Sequence, residues 1–168
     1  VRASPVDRAA TLRLLGTLLK AGLLRGVDPN RSRIVAEAAA GLGRAEREAI
    51  QHLFSAYNDV FQLILQSLSV EKGERATLML VDPFFKGPAK TTVLAGCEVS
   101  VKEGLQLDDL LPALATIPAD ERPARMILGL NEFLYFLVFA VKDNLGAEVE
   151  RGVVKTAMSL LESHAPNA

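Results

Sequence analysis

The chain has a single cysteine, Cys97, two histidines, His52 and His164, and a formal charge of −1 over 168 residues. One cysteine rules out an internal disulfide, and nothing in the sequence calls for an oxidising compartment. A metal centre needs three or four converging ligands, and no HxxxH, HExxH or CxxC spacing holds any two together here. Near-neutral charge removes the electrostatic case for nucleic acid or for a polybasic membrane patch. Apolar runs fall short of the ~20 residues that a bilayer span needs, and Asn131 and Glu132 interrupt the best candidate. These absences predict a cytoplasmic protein with no nucleic-acid partner, no membrane span, no metal and no cofactor.

Catalytic punctuation is also missing. Gly41-Leu42-Gly43 lacks the third glycine, the preceding strand and the acidic residue of a dinucleotide fold. No GxxxxGK[ST] or GxSxG is present. Asp28, Asn30 and Ser32 imitate the first ligands of a calcium loop, but Arg33 stands where glycine must turn the chain and Ala39 where the bidentate glutamate belongs. An enzyme is therefore not expected.

What is present is helical periodicity. Residues 126–145, MILGLNEFLYFLVFAVKDNL, contain an unbroken apolar run over 133–141. A helix carrying such a run must be covered on most sides, by the rest of the chain or by a second copy. Met126, Leu130, Phe133, Leu137 and Val141 form one stripe at spacings of three and four, with Tyr135, Val138 and Phe139 off it. Upstream, Ile50, Leu53, Phe54, Tyr57, Val60, Phe61, Ile64, Leu65 and Leu68 share one face of a helix predicted from Arg44. At 1.5 Å per residue that helix is roughly 37 Å long, one wall of a bundle.

The remaining chain is read in relation to these two helices. Ser4 and Pro5 open a first helix, rich in leucine through Leu12, Leu15, Leu19 and Leu23. A short helix over residues 32–40 precedes Gly41, and residues 26–43 are the candidate hinge, so 1–43 is read as an N-terminal helix and hinge and 44–168 as the bundle domain. The opening Val1 and its immediate helix-like sequence suggest a fragment of a longer protein. Residues 76–85 suit either a helix or a buried strand ending at Asp82-Pro83; helix is favoured for want of a strand partner. Cys97, Val99 and Val101, between Gly96 and Gly104, suggest a small extended piece or hairpin. Asp108 is the expected cap of the next helix, and Gly146 the left-handed stop of the 126–145 helix. Val149, Val153, Ala157, Leu160 and Leu161 carry the last helix, and His164 falls in a fraying tail. The predicted fold is mainly α, an antiparallel helical bundle with short accessory helices and at most a minor β element.

Two polar pairs interrupt the apolar stripes, Asn58-Asp59 and Asn131-Glu132. Unpaired and buried, such groups cost about 1 to 3 kcal/mol, so each pair either fixes helix register by bonding across helices or lines a groove. The sharper alternative is a ligand spot formed by Tyr57, Asn58, Asn131, Glu132 and Tyr135. Surplus apolar surface on the first helix (Leu12, Leu15, Leu19) and on Tyr135, Val138 and Phe139 predicts a homodimer through one of those faces.

Residues 6–26, ending in LRLLGTLLKAGLLRG, resemble the closing helix of the winged-helix-like tail in PATAN-type bacterial signalling domains. From residue 71 to 161, EKGERA, LQLDDLLPAL and IPADERPARMILGLNEFLYFLVFAVKDNLGAEV are similar in order to a helical module at the end of multidomain bacterial and archaeal signalling proteins. The resemblance implies a regulatory or scaffolding role without catalysis and with another signalling protein as partner. It carries over no functional residue. The expected function is a protein-protein interaction module acting by helix contact; the alternative is a sensor holding an apolar ligand in its core.

Overall fold

The computed structural model describes residues 29–164. They form α1 (Pro29–Ala40), α2 (Arg44–Lys72), α3 (Glu74–Lys86), a 3-10 turn (Pro88–Thr91), β1 (Val99–Ser100), β2 (Gly104–Leu105), α4 (Leu107–Ala115), α5 (Arg122–Leu145) and α6 (Ala147–Ser163). The fold is mainly α with one minor β element, as the periodicity predicts. The chain divides into two compact units, Val1–Ile34 and Val35–Ala168. The expected first helix, with Leu12, Leu15 and Leu19, lies outside the described residues. In the second unit, which begins at Val35, Ala38 and Leu42 are buried in the core.

The core follows the two apolar stripes. On α2, Ile50, Phe54, Val60, Phe61, Ile64, Leu65 and Leu68 are buried, while Leu53 and Tyr57 lie half-buried at the stripe's edge. On α5, Met126, Leu130, Phe133, Leu137 and Val141 are all fully buried. Burying one such side chain contributes about 1.5 to 3 kcal/mol, so these helices hold the unit together. Where they meet, Phe61 and Phe84 pack on Phe133 with ring centroids 4.8 and 4.9 Å apart, and Phe84 also touches Phe136.

α3 is a helix rather than a strand. Thr77, Val81 and Phe84 are buried at helical spacing, and the helix runs on past Pro83 to Lys86 although that proline offers no amide proton to the carbonyl of Met79. Two glycines make the helical hairpins. Gly73 (φ 85°, ψ 156°) joins α2 to α3 and Gly146 (φ 92°, ψ 165°) joins α5 to α6. Positive φ with extended ψ is open essentially to glycine alone, so Gly146 stops α5 in an extended conformation and not in the left-handed helical one expected. Each amide donates back into the helix it ends, Gly73 to Ser69 O at 2.8 Å and Gly146 to Lys142 O at 3.1 Å.

The hairpin expected between Gly96 and Gly104 pairs Val99 with Leu105 and Ser100 with Gly104, antiparallel. Asp108 does not cap α4: Gln106 occupies the cap position without a side-chain capping bond, its side-chain amide donating instead to Glu103 Oε2 at 3.1 Å. The neighbouring Asp109 instead accepts the Glu98 amide at 3.1 Å. On α6, Val153 and Ala157 are buried, whereas Val149 is exposed, one turn too early to reach the core.

The hairpin partners α2/α3 and α5/α6 each reverse direction at their glycine. α2 and α5 run the same way: Glu46 meets Arg122, Tyr57 meets Asn131, and Phe61 meets Phe133, advancing together along both helices. Arg122 fixes the base of this pair. Its Nε donates to Leu114 O at 3.0 Å, which also accepts the Ile117 amide, and to Ile117 O at 2.9 Å in the turn after α4, and a terminal nitrogen bonds Glu46 Oε1 at 2.8 Å.

Candidate functional site

The two polar pairs of the sequence part company in the fold, because neighbours on a helix point about 100° apart. Tyr57 turns toward α5 and donates its hydroxyl to Asn131 Oδ1 at 2.8 Å. Burial first, and the adjacent Tyr135 second, raise the Tyr57 phenol above its ordinary pKa, with the Asn131 amide pulling the other way.

Asn58 turns to the opposite flank of α2 and is buried. Its amide nitrogen donates to Glu103 O and its oxygen accepts the Leu105 amide, both at 2.8 Å. Gln62 adds a bond to Glu103 O at 3.1 Å. The side chain therefore supplies the backbone partners that a two-residue strand cannot, and so pins the hairpin to the bundle. Gly104 makes room for it, since a Cβ there would lie 2.3 Å from Asn58 Oδ1.

Of the five residues read as a possible ligand spot, the fold groups Tyr57, Asn131 and Tyr135. Asn58 faces the hairpin, and Glu132 is half-exposed on α5. Surface grooves among the described residues include two that bear on this reading. One lies along α3 (Glu74, Arg75, Leu78, Met79, Asp82). The other, of about 290 Å³, lies between residues 90–93, the end of α4 and the start of α5 at Arg125 and Leu128. Neither is lined by the five. No buried side-chain donor or acceptor is left without a partner among the described residues, so the core presents no waiting polar hook.

The histidines meet where the end of α6 reaches α2. His164 is held against α2: its carbonyl accepts from His52 Nε2 at 2.8 Å, and its own Nε2 lies 3.3 Å from Asp59 Oδ2. His164 Nδ1 sits 2.9 Å from Leu160 O, so this residue closes α6 and does not fray. No grouping of three potential metal ligands occurs among the described residues.

The outward face of α5 is a feature that packing does not absorb. Leu128 is 52% exposed, Tyr135 72% and Phe139 62%, on a helix whose inward stripe is completely covered. Val138, the third of the off-stripe residues, is half-buried and packs on the core. These exposures follow from register, since 128, 135 and 139 lie on the side opposite 126, 130, 133 and 137. Arg125, Glu132 and Asp143 complete the stripe at intervals of three and four. By length and hydropathy α5 qualifies as a membrane-crossing helix, yet its inward side is the core of the unit.

Residues that sequence reasoning missed are Arg122 and Gly104. Arg122 pairs with Glu46 from 76 positions away, and Gly104 acts through Asn58, so neither function leaves a local spacing to read. No protein-family model, curated protein or solved structure matches the chain.

Proposed function

We propose that this chain is a non-enzymatic regulatory or protein-protein interaction module of a bacterial signalling protein, working through the outward face of α5. The observation that carries the reading is the pair Tyr135 and Phe139, 72% and 62% exposed one turn apart on the central helix. An aromatic side chain brings ~150 to 250 Å² of surface, and soluble proteins leave few such clusters in water without a use. Rigid aromatics on a regular helix also suit recognition, since little side-chain freedom is lost when they are covered. Packing a helix face against another helix needs no cofactor and no catalytic group. The cytoplasmic location and the signalling partner rest on the same reading and on the sequence resemblance.

The test compares the whole chain with its Phe139→Ser and Tyr135→Ser variants. The interaction reading expects unchanged melting temperatures and a loss of association measured by sedimentation. It also expects no stabilisation by a panel of lipids, haem and nucleotide cofactors. A ligand at 100 times its Kd would add about 2.7 kcal/mol of stability, so a clear thermal shift, or a small molecule retained in native mass spectrometry, overturns it in favour of a sensor.

A further inference from the structure

We propose that the occupant of this face is a second copy of the same chain, with the two α5 helices packed antiparallel about a two-fold axis. The inference rests on the reading of the outward face as the working surface, and it names the partner and the register. Along that face the side chains run Arg125, Leu128, Glu132, Tyr135, Phe139, Asp143, and all but the half-buried Glu132 are exposed. The order is a chemical palindrome. Laid antiparallel on a copy of itself and centred between Phe133 and Leu134, the stripe sets Leu128 against Phe139 and Glu132 against Tyr135, and brings Arg125 within one residue, about 1.5 Å along the axis, of Asp143, with Lys142 level with Arg125 but about 100° further round the helix. A two-fold axis makes each of those pairings twice, as an isologous interface requires.

Each pairing is complementary. A guanidinium meets a carboxylate, an aliphatic side chain meets an aromatic ring, and a carboxylate meets a phenol that can donate to it. Parallel packing in register would oppose Arg125 to Arg125, Glu132 to Glu132 and Asp143 to Asp143, so charge selects the antiparallel arrangement. Nothing inside one chain explains the palindrome. Arg125 and Asp143 are separated by about 27 Å along one straight helix and cannot reach each other. Arg125 does meet Glu121 at 3.4 Å within the chain, a surface pair that leaves it more than half exposed.

The contact is small. The three large apolar side chains offer on the order of 300 to 400 Å² per protomer, at the low end for specific interfaces, so a reversible dimer with a micromolar Kd is expected.

Charge reversal tests it on the whole chain, with sedimentation equilibrium for association and circular dichroism for fold. Arg125→Asp and Asp143→Arg should each weaken the dimer about tenfold, because each places like charges together at both symmetric contacts. The double variant should restore wild-type affinity within about threefold, an outcome open only to an intermolecular Arg125–Asp143 pairing. Mixed Leu128→Cys and Phe139→Cys chains should cross-link to each other on oxidation, with Cys97 buried. A dimer that the double variant fails to restore overturns the antiparallel register while leaving the interaction reading intact. A wild type that stays monomeric at millimolar concentration overturns the second copy. Flotation on phosphatidylserine vesicles, lost in Phe139→Asp, would then assign the face to a membrane. A folded Phe139→Asp variant that associates like wild type overturns both the dimer and the reading beneath it.

Discussion

The inward and outward faces of α5 are built from the same kinds of residue and meet opposite fates. Phe133 is completely buried among Phe61, Phe84 and Phe85, while Phe139, less than two turns further on, is 62% exposed. Arg122 is almost enclosed and bonds three acceptors, while Arg125 holds only an exposed pair with Glu121. Tyr57 reaches α5 from the neighbouring helix and is bonded, while Tyr135 stands 72% exposed on α5 itself. Residue type does not decide which face carries the fold; angular position does. Stability is therefore concentrated on one side of the helix, and the other side is free to change without loss of structure.

The sharpest way to break the contrast is at the phenylalanines. Phe133→Ala should cost about 3 to 5 kcal/mol, through lost burial and the cavity left among three other rings. Phe139→Ala should stay within about 0.5 kcal/mol of wild type in the monomer. Urea unfolding followed by circular dichroism measures both, and similar costs at the two positions would erase the distinction.

The arginines come next. Arg122→Ala leaves the Leu114 and Ile117 carbonyls and the Glu46 carboxylate without their shared donor, and should cost about 1 to 3 kcal/mol. Arg125→Ala removes a surface pair worth about 0 to 1 kcal/mol. Chemical unfolding of the two variants should therefore give clearly separated midpoints.

The tyrosines give the smallest effect. Tyr57→Phe deletes the bond to Asn131 and should cost about 1 kcal/mol, against nearly nothing for Tyr135→Phe. Because the folded state raises the Tyr57 pKa, its contribution is complete below the unfolded value of about 10 and is lost as pH climbs through the folded one. Stability should thus fall above about pH 10 in the wild type, and less steeply in Tyr57→Phe. Identical slopes would mean that Tyr57 ionises alike in both states.

The inward face was legible in the sequence because helical burial has a local period. Met126, Leu130, Phe133, Leu137 and Val141 announce their common side by spacing alone, and the exposure of Tyr135 and Phe139 follows from being off it. Val138 shows the limit: it is equally off the stripe, yet it sits near enough to the edge to be half-covered. Polar anchoring was less visible. Asn58-Asp59 and Asn131-Glu132 stood out as interruptions, but whether Asn58 faced α5 or the hairpin depended on tertiary placement. The Arg122 bonds depend on a turn between α4 and α5 that only the folded chain creates. Pro83 left residues 76–85 open to a helix or a strand reading, because a proline often marks a helix end, whereas here the helix runs on past it to Lys86.

The shared direction of α2 and α5 also governs how the chain finds its fold. Each glycine-linked helical pair, α2/α3 and α5/α6, joins neighbours in sequence and closes a short loop, so each can form early at little entropic cost. Bringing the pairs together requires closure between Glu46 and Arg122, across 76 residues, and the intervening stretch with its small hairpin must return the chain to its starting end. The folding barrier is therefore expected at that closure. Phe61→Leu, at the seam between the pairs, should slow folding more than it speeds unfolding, whereas a substitution inside one hairpin such as Ala157→Gly should act mainly on the unfolding limb.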